Sequence, residues 1–449
     1  MKKRAIVLTI FLLAACLMLT ACSDMAMGGL LQKLFSEFGA NVDDIPEDIS
    51  QLIESVPEDI SIPEDFTVTI PEDFTVADTI ESDTTNLDTT NLDTTEPETI
   101  EPEPELVPSQ GLRFESNGDG TCKVVGIGAC TDTDIVIPSV SPDGDRVTII
   151  GVYAFLNCGG LTSVVIPDGV TSIGDSAFES CSGLTSIVIP DSVTSIGNSA
   201  FSGCAGLTSV VIPDSVTSIG GWAFCNCESL TSIMIPDSVI SIGDGAFCRC
   251  AALVEMVIPN SVTSFGYGVF AECTGLISVV IPDNMTSIER MMFDRCASLT
   301  SIVIPDGVTT IGDAAFSDCS NLMGIIIPDG VTSIGEYAFR QCDSLTSIVI
   351  PGSVVSFGDW MFYGCDDLTS VVISNGVKNI AENEFCHCES LTSIVIPNSV
   401  TSIGNSAFSH CSAVTDVYFT GTEKEWAAIT IGAYNYDLTS AKIHFNYQP

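Results

Sequence analysis

The chain has 449 residues and carries 58 Asp and Glu against 14 Lys and Arg, a formal net charge of −44. An acidic excess of that size excludes a phosphate-binding surface, which needs clustered basic side chains, so nucleic acid is not an expected partner. It also removes long-range attraction to anionic lipid and makes any unfolded stretch self-repelling and extended.

The N-terminus reads as an export signal. Lys2, Lys3 and Arg4 precede a mostly apolar run from Ala5 to Leu19, too short for a lasting membrane span. The run closes on Leu19-Thr20-Ala21-Cys22, which resembles the lipobox of bacterial lipoproteins. The resemblance implies removal of residues 1–21 as a signal peptide and acylation of Cys22. Buried lipid methylenes would then hold the exported protein to the cell envelope. An ordinary secretory signal that contains a cysteine is the alternative.

Residues 22–110 have a different composition. Between Ser23 and Gln110 there are 23 Asp and Glu and one Lys, Lys33, with many Thr and Pro and few aromatics. Near-copies occur, such as Ile62-Pro63-Glu64-Asp65-Phe66 and Ile70-Pro71-Glu72-Asp73-Phe74. Such a stretch cannot bury enough apolar surface to offset chain entropy, so a disordered stalk is expected, stiffened by like charges and prolines. A brief helix at Gly28 to Phe38 fits just past the anchor. A spacer and an acidic binding tail are both compatible with this composition.

From Gly111 onward the sequence is periodic. Cysteines recur every 23 residues without insertion or deletion, from Cys158 through Cys181 and Cys204 to Cys411. A Phe stands three residues before each, and a Leu stands three after all but the last, where Val414 replaces it. In one unit, Leu184, Ile187 and Ile189 match the strand signature L-x-x-L-x-L, so Ile187 and Ile189 point inward while Ser186 and Val188 point out. Pro190 ends the strand, Val193 and Ile196 form a second inward pair, and Gly197 turns the next corner. A short helical turn is expected at Ala200 and Phe201, with Cys204 as a small buried hydrophobe. The fold class is therefore a β-rich repeat solenoid of leucine-rich 23-residue coils, each a β-strand, a short second strand and a helical turn. Boundaries fall at 111–157 for an N-terminal cap and first coil, 158–416 for the solenoid and 417–449 for a C-terminal cap. Ser374, Glu289 and Ala381 break the Pro and Gly columns, so their coils are expected to be looser.

Over roughly Leu112 to Tyr447 the sequence resembles the BspA-type bacterial leucine-rich repeat family. Asn117-Gly118-Asp119-Gly120-Thr121 resembles that family's N-terminal cap hairpin, and Val417 through Asn446 resembles its closing unit. The resemblance implies a surface protein that binds proteins of a host or neighbouring cell.

No catalytic motif is present, and neither an enzyme, a cofactor nor a metal is expected. The repeat cysteines read as a core column. Cys225 and Cys248 lie outside it at equivalent places on consecutive coils, within disulfide reach, where a bridge or two free thiols both fit. Cys386-His387-Cys388 lacks metal-ligand spacing, and Cys122 and Cys130 either pair or pack. The Asp119 loop fits a hairpin turn better than a calcium loop.

Two surfaces are candidates for a partner. An outward column of Val, Met and Ile along the strands forms a flat apolar strip suited to weak self-association. Variety gathers instead on the turns around the Phe. Trp222, Tyr267, Arg290, Met291, Tyr337 and Trp360 precede it, and Arg249, Arg295, Arg340 and Tyr363 follow it. Arg, Tyr and Trp are the residues that anchor interfaces. A lipid-anchored adhesin exposed at the cell surface is the leading expectation, with a self-associating structural component of the envelope as the alternative.

Overall fold

The protein is described by a computed structural model over residues 107–448. The signal sequence, Cys22, the helix expected at 28–38 and almost all of the stalk lie outside the described residues. Ser109, inside the stretch taken as stalk, already donates its N–H to the Val136 carbonyl at 2.8 Å and belongs to the folded unit.

Each coil is a succession of strand, corner, short strand and turn. In the unit at 184–204 the strand is Ser186–Val188 and the short strand Ser195–Ile196. Ile187, Ile189, Val193 and Ile196 are buried and Val188 is exposed, as the alternation demands. Both strands pair in parallel with the same residues one coil away, Ser186 with Ser163 and Ser195 with Ser218. No coil could bury its inner face alone, and stacking supplies the missing neighbours. Successive Phe rings from Phe155 to Phe408 stack with centroids 5.0–5.8 Å apart and planes within 15°.

The third side takes the form of successive i→i+3 turns. Ala177 N–H bonds to the Gly174 carbonyl and Cys181 N–H to the Phe178 carbonyl, both at 3.2 Å. Left-handed residues at Ser176 (φ 53°) and Ser180 (φ 60°) stop these turns from growing into a helix. Their N–H groups face the following coil, where Ser176 and Ser180 donate to the Asn198 and Ser202 carbonyls at 2.8 and 2.7 Å.

The cysteine column does more than fill space. Cys204 Sγ donates to the Phe178 carbonyl of the preceding coil at 3.2 Å, and the same bond recurs from Cys181 to Cys411 at 3.0–3.3 Å. Burial pushes the thiols of Cys181, Cys227, Cys365 and Cys411 up to about 12, so they stay protonated and available as donors.

Both ends are closed. The hairpin Arg113–Ser116 and Thr121–Gly126 covers the first coil, its turn fixed by Asp119 Oδ1 accepting from the Thr121 N–H and hydroxyl. At the other end Lys442–His444 adds to Asp416–Phe419, and Trp426 packs edge-on against Phe419 at 5.2 Å. Asn435 Oδ1 takes the Phe408 N–H at 2.9 Å, replacing the carbonyl that a further coil would have offered.

The departures from the Gly column act as expected, while Ser374 does the reverse. A Cβ on Gly197 would lie 2.7 Å from the Asp175 backbone nitrogen, so the coils touch there. Where Glu289 and Ala381 supply that Cβ, the bond to the preceding coil is missing and the short-strand sheet breaks, between Phe265 and Ser287 and between Phe357 and Asn379. Ser374, freed from proline, instead donates to the Ile350 carbonyl at 2.9 Å, and four-residue strands follow. The orphaned Ala381 N–H is taken by the buried carboxylate of Glu384 at 2.7 Å. Glu384 occupies a place held by Ala in most coils, and burial pushes its carboxyl up to about 8.

A raised folded-state value means the fold favours neutral Glu384, with full stability below the ordinary value of 4.5 and progressive loss as pH rises through about 8. Each unit of displacement is worth about 1.4 kcal/mol, so the coils around Glu384 should lose a few kcal/mol across that window. Glu384→Gln keeps an acceptor for Ala381 without the charge. Thermal unfolding between pH 5 and pH 9 should show the wild-type midpoint falling relative to that variant, and parallel curves would contradict the assignment.

Candidate functional site

Two left-handed positions recur in every coil, and they organise the edge where sequence variety gathers. The first runs through Tyr153, Ser176, Ser199, Trp222, Gly245, Gly268, Met291, Ala314, Tyr337, Trp360, Asn383 and Ser406. The second runs through Asn157, Ser180, Gly203, Asn226, Arg249, Glu272, Arg295, Asp318, Gln341, Gly364, His387 and His410. Gly is the economical choice there, with Asn next, because a Cβ in the left-handed region costs roughly 1–2 kcal/mol. Trp222, Tyr337 and Trp360 are on the first column and Arg249 and Arg295 on the second. Tyr267, Arg290, Arg340 and Tyr363 each stand one residue before a left-handed position. All nine candidates therefore lie along one edge, five of them at left-handed positions.

The structure groups them into three neighbourhoods. Trp222 and Tyr267 meet edge-on with ring centroids 6.2 Å apart although two coils separate them. Gly245 makes this reach feasible, since a Cβ there would lie 2.6 Å from Trp222 Nε1. In the middle, the arginines are bound to acids of neighbouring coils. Arg249 grips Glu272 with two bonds at 2.9 and 3.2 Å, Arg295 approaches the same carboxylate at 3.5 Å, and Arg340 meets Asp318 at 3.1 Å. The Arg249 hydrogen bond holds the Glu272 carboxyl below its usual range. The ladder still leaves Arg249 and Arg295 more than half exposed. Arg290 has no ion pair among the described residues.

The third neighbourhood was only half visible in the sequence. Trp360 meets Tyr363 at 5.2 Å, Tyr363 meets His387 at 5.3 Å, and His387 stacks on His410 at 4.2 Å with planes 11° apart. His387 and His410 extend the aromatic edge over two further coils. Their 23-residue spacing was the available signal. Cys388, beside His387, turns its thiol inward to the Phe362 carbonyl, so the Cys-His-Cys run does not converge on one point.

The strand strip is exposed as its alternation predicts. Val211, Met234, Val303 and Ile326 are 76–83% accessible. Its surface is flat, and the clefts elsewhere are shallow. One is lined by Cys130, Cys158 and Leu161 beside the N-terminal cap, and a smaller one by Phe265 and Glu289 where the Gly column fails. No described helix is long and apolar enough to cross a membrane.

The left-handed columns give a direct test of local strain. Ala314, at φ 52°, should prefer glycine, so Ala314→Gly should raise the free energy of unfolding read from urea titration, by up to about 1 kcal/mol. Ala314→Val should lower it by more, and an equal effect of the two variants would contradict the strain assignment.

Comparison with known proteins bears on the whole solenoid. The BspA type leucine rich repeat region matches over residues 148–276, 194–323 and 309–429. A leucine-rich repeat protein from Bacteroides ovatus is similar at 28% identity, over 76% of this chain and 89% of that one, with a TM-score of 0.54. A leucine rich cell surface protein from Faecalibacterium prausnitzii is 31% identical over 73% of this chain and 98% of that one, with a TM-score of 0.44. The pneumococcal vaccine antigen PcpA shares the fold at 20% identity, over 73% and 98% of the two chains, with a TM-score of 0.52. None of the curated proteins matches the chain.

Proposed function

The chain belongs to the BspA-type leucine-rich repeat family, and from that premise we propose that it is a cell-surface binding protein that adheres to proteins of a host or neighbouring cell. Recognition is assigned to the turn edge carrying Trp222, Tyr267, Arg249, Arg295, Tyr337, Trp360 and Tyr363. The observation that carries this reading is the placement of bulky residues at left-handed positions that other coils fill with Ser, Asn or Gly. The left-handed backbone serves inter-coil hydrogen bonding, but the bulk of these side chains adds nothing to it, which supports a surface selected for something else. Aromatic and Arg side chains, held by neighbouring coils, also lose little freedom on binding.

The anchor is part of the proposal. Acylated Cys22 would tether the protein to the envelope, and the acidic segment would lift the solenoid away from the membrane. The exposed Val, Met and Ile strip supports a second reading, self-association into an envelope scaffold. Charge opposes it, because copies carrying −44 repel one another at low salt.

The test replaces Trp222, Tyr337 and Trp360 together by Ser, the residue native to this column at Ser176, Ser199 and Ser406. Stability should hold or rise. Capture of partners from surface-protein extracts of host and neighbouring cells should fall at least tenfold. Undiminished capture by the folded triple variant would overturn the assignment of the edge. Sedimentation equilibrium of the wild-type chain decides the second reading, which requires a mass that grows with concentration.

A further inference from the structure

One pair of thiols stands together outside the core column. Cys225 and Cys248 hold equivalent places on consecutive coils, each just before a left-handed residue, Asn226 and Arg249. The Asn226 N–H donates to the Cys248 carbonyl at 2.8 Å, which locks the two backbones at inter-coil spacing. That spacing, about 5 Å, lies within the Cα separation that a disulfide spans. Both thiols are free in this structure. The Asn226 side-chain amide donates to Cys225 Sγ at 3.3 Å. The neighbouring Cys248 thiol and the guanidinium of Arg249 hold the Cys225 thiol below its ordinary value, while the neighbouring Cys225 pushes Cys248 up. One proton is thereby shared between two adjacent sulfurs, which supplies a thiolate beside a second thiol.

The other cysteines are placed differently. The column thiols from Cys181 onward are spent on Phe carbonyls, and Cys250 and Cys273, though neighbours, are wholly buried. Cys386 has Tyr363 and Ser409 at the equivalent places on its two flanking coils. Cys122 donates to the Asp145 carbonyl at 3.6 Å. Cys248 is half-exposed, which gives a reagent access from solvent.

We propose that Cys225 and Cys248 form a thiol–disulfide exchange site, closing a covalent bridge between consecutive coils at the expense of a low-molecular-weight disulfide. With the shared proton on Cys225, the accessible Cys248 thiolate attacks one sulfur of the external disulfide, forming a mixed disulfide and releasing one thiolate, which takes up the Cys225 proton. The Cys225 sulfur then attacks Cys248 and expels the second thiolate. Two protein thiols are oxidised and the external disulfide is reduced to two thiols. This inference does not depend on the binding role of the edge.

The folded full chain is incubated with oxidised glutathione, denatured, and capped with N-ethylmaleimide. Intact mass should show two fewer caps than the untreated chain, with no retained glutathione at this pair. Chymotryptic mapping should join the fragment beginning at Cys225 to that beginning at Cys248. Cys225→Ser should trap one glutathione on Cys248, and Cys248→Ser should abolish the bridge. Both variants should fold, since Ser202, Ser317 and Ser409 are native to the same column. An unchanged cap count, or a bridge joining Cys250 to Cys273 instead, would overturn the proposal.

Discussion

Neighbouring coils exchange hydrogen bonds on every side of the solenoid, and each coil must meet the next at the same residue, 23 positions on. The strand sides satisfy this with ordinary parallel ladders. The turn side satisfies it by holding two residues per coil in the left-handed region, so that their N–H groups face the following coil. Buried backbone groups left without partners would cost more than the 1–2 kcal/mol of a left-handed Cβ. The constraint therefore wins even at Trp222 and Arg295. The same logic explains the cysteine column. Each Phe carbonyl points along the stack, and a thiol is a donor small enough to reach it without displacing the aromatic ladder.

Much of this was legible from the residues. Period-2 alternation identified Ile187 and Ile189 as core, and Pro190 and Gly197 marked the corners. The left-handed columns were not recognised, although glycine or asparagine recurs in both, at Gly245, Gly268 and Asn383 and at Asn157, Gly203 and Asn226. Large residues at the remaining places masked the pattern, because composition averages over side chains while φ is set by the backbone. The thiol donors were missed for a related reason. A cysteine at an apolar position looks like any small hydrophobe until its acceptor on another coil is located.

The charged edge shows where residue type alone misleads. Arg249, Arg295 and Arg340 were legible as an interface signature, yet acids of other coils hold all three. Alternation of Arg249, Glu272, Arg295 and Asp318 at 23-residue spacing is a ladder in its own right. Exposed pairs of this kind contribute about 0–1 kcal/mol each, too little to account for their placement through stability alone. They do fix the guanidinium groups in position, which lowers the entropy lost when a partner docks.

Departures from the repeat fall into two physical kinds. Glu289 and Ala381 insert a Cβ where coils touch, and the ladder opens locally, with Glu384 recruited as a substitute acceptor beside Ala381. Trp222, Tyr337 and Trp360 insert bulk where the chain faces solvent, and the forward bonds of Trp222 and Tyr337 persist at 2.7 and 3.1 Å, with strain confined to single residues. A repeat array tolerates both, because each coil answers only to its neighbours. Only the second kind leaves the register unbroken while changing what the surface presents. Specificity in such an array is therefore most cheaply written on the turn edge, where a substitution alters one coil's chemistry and leaves the stacking of the others untouched.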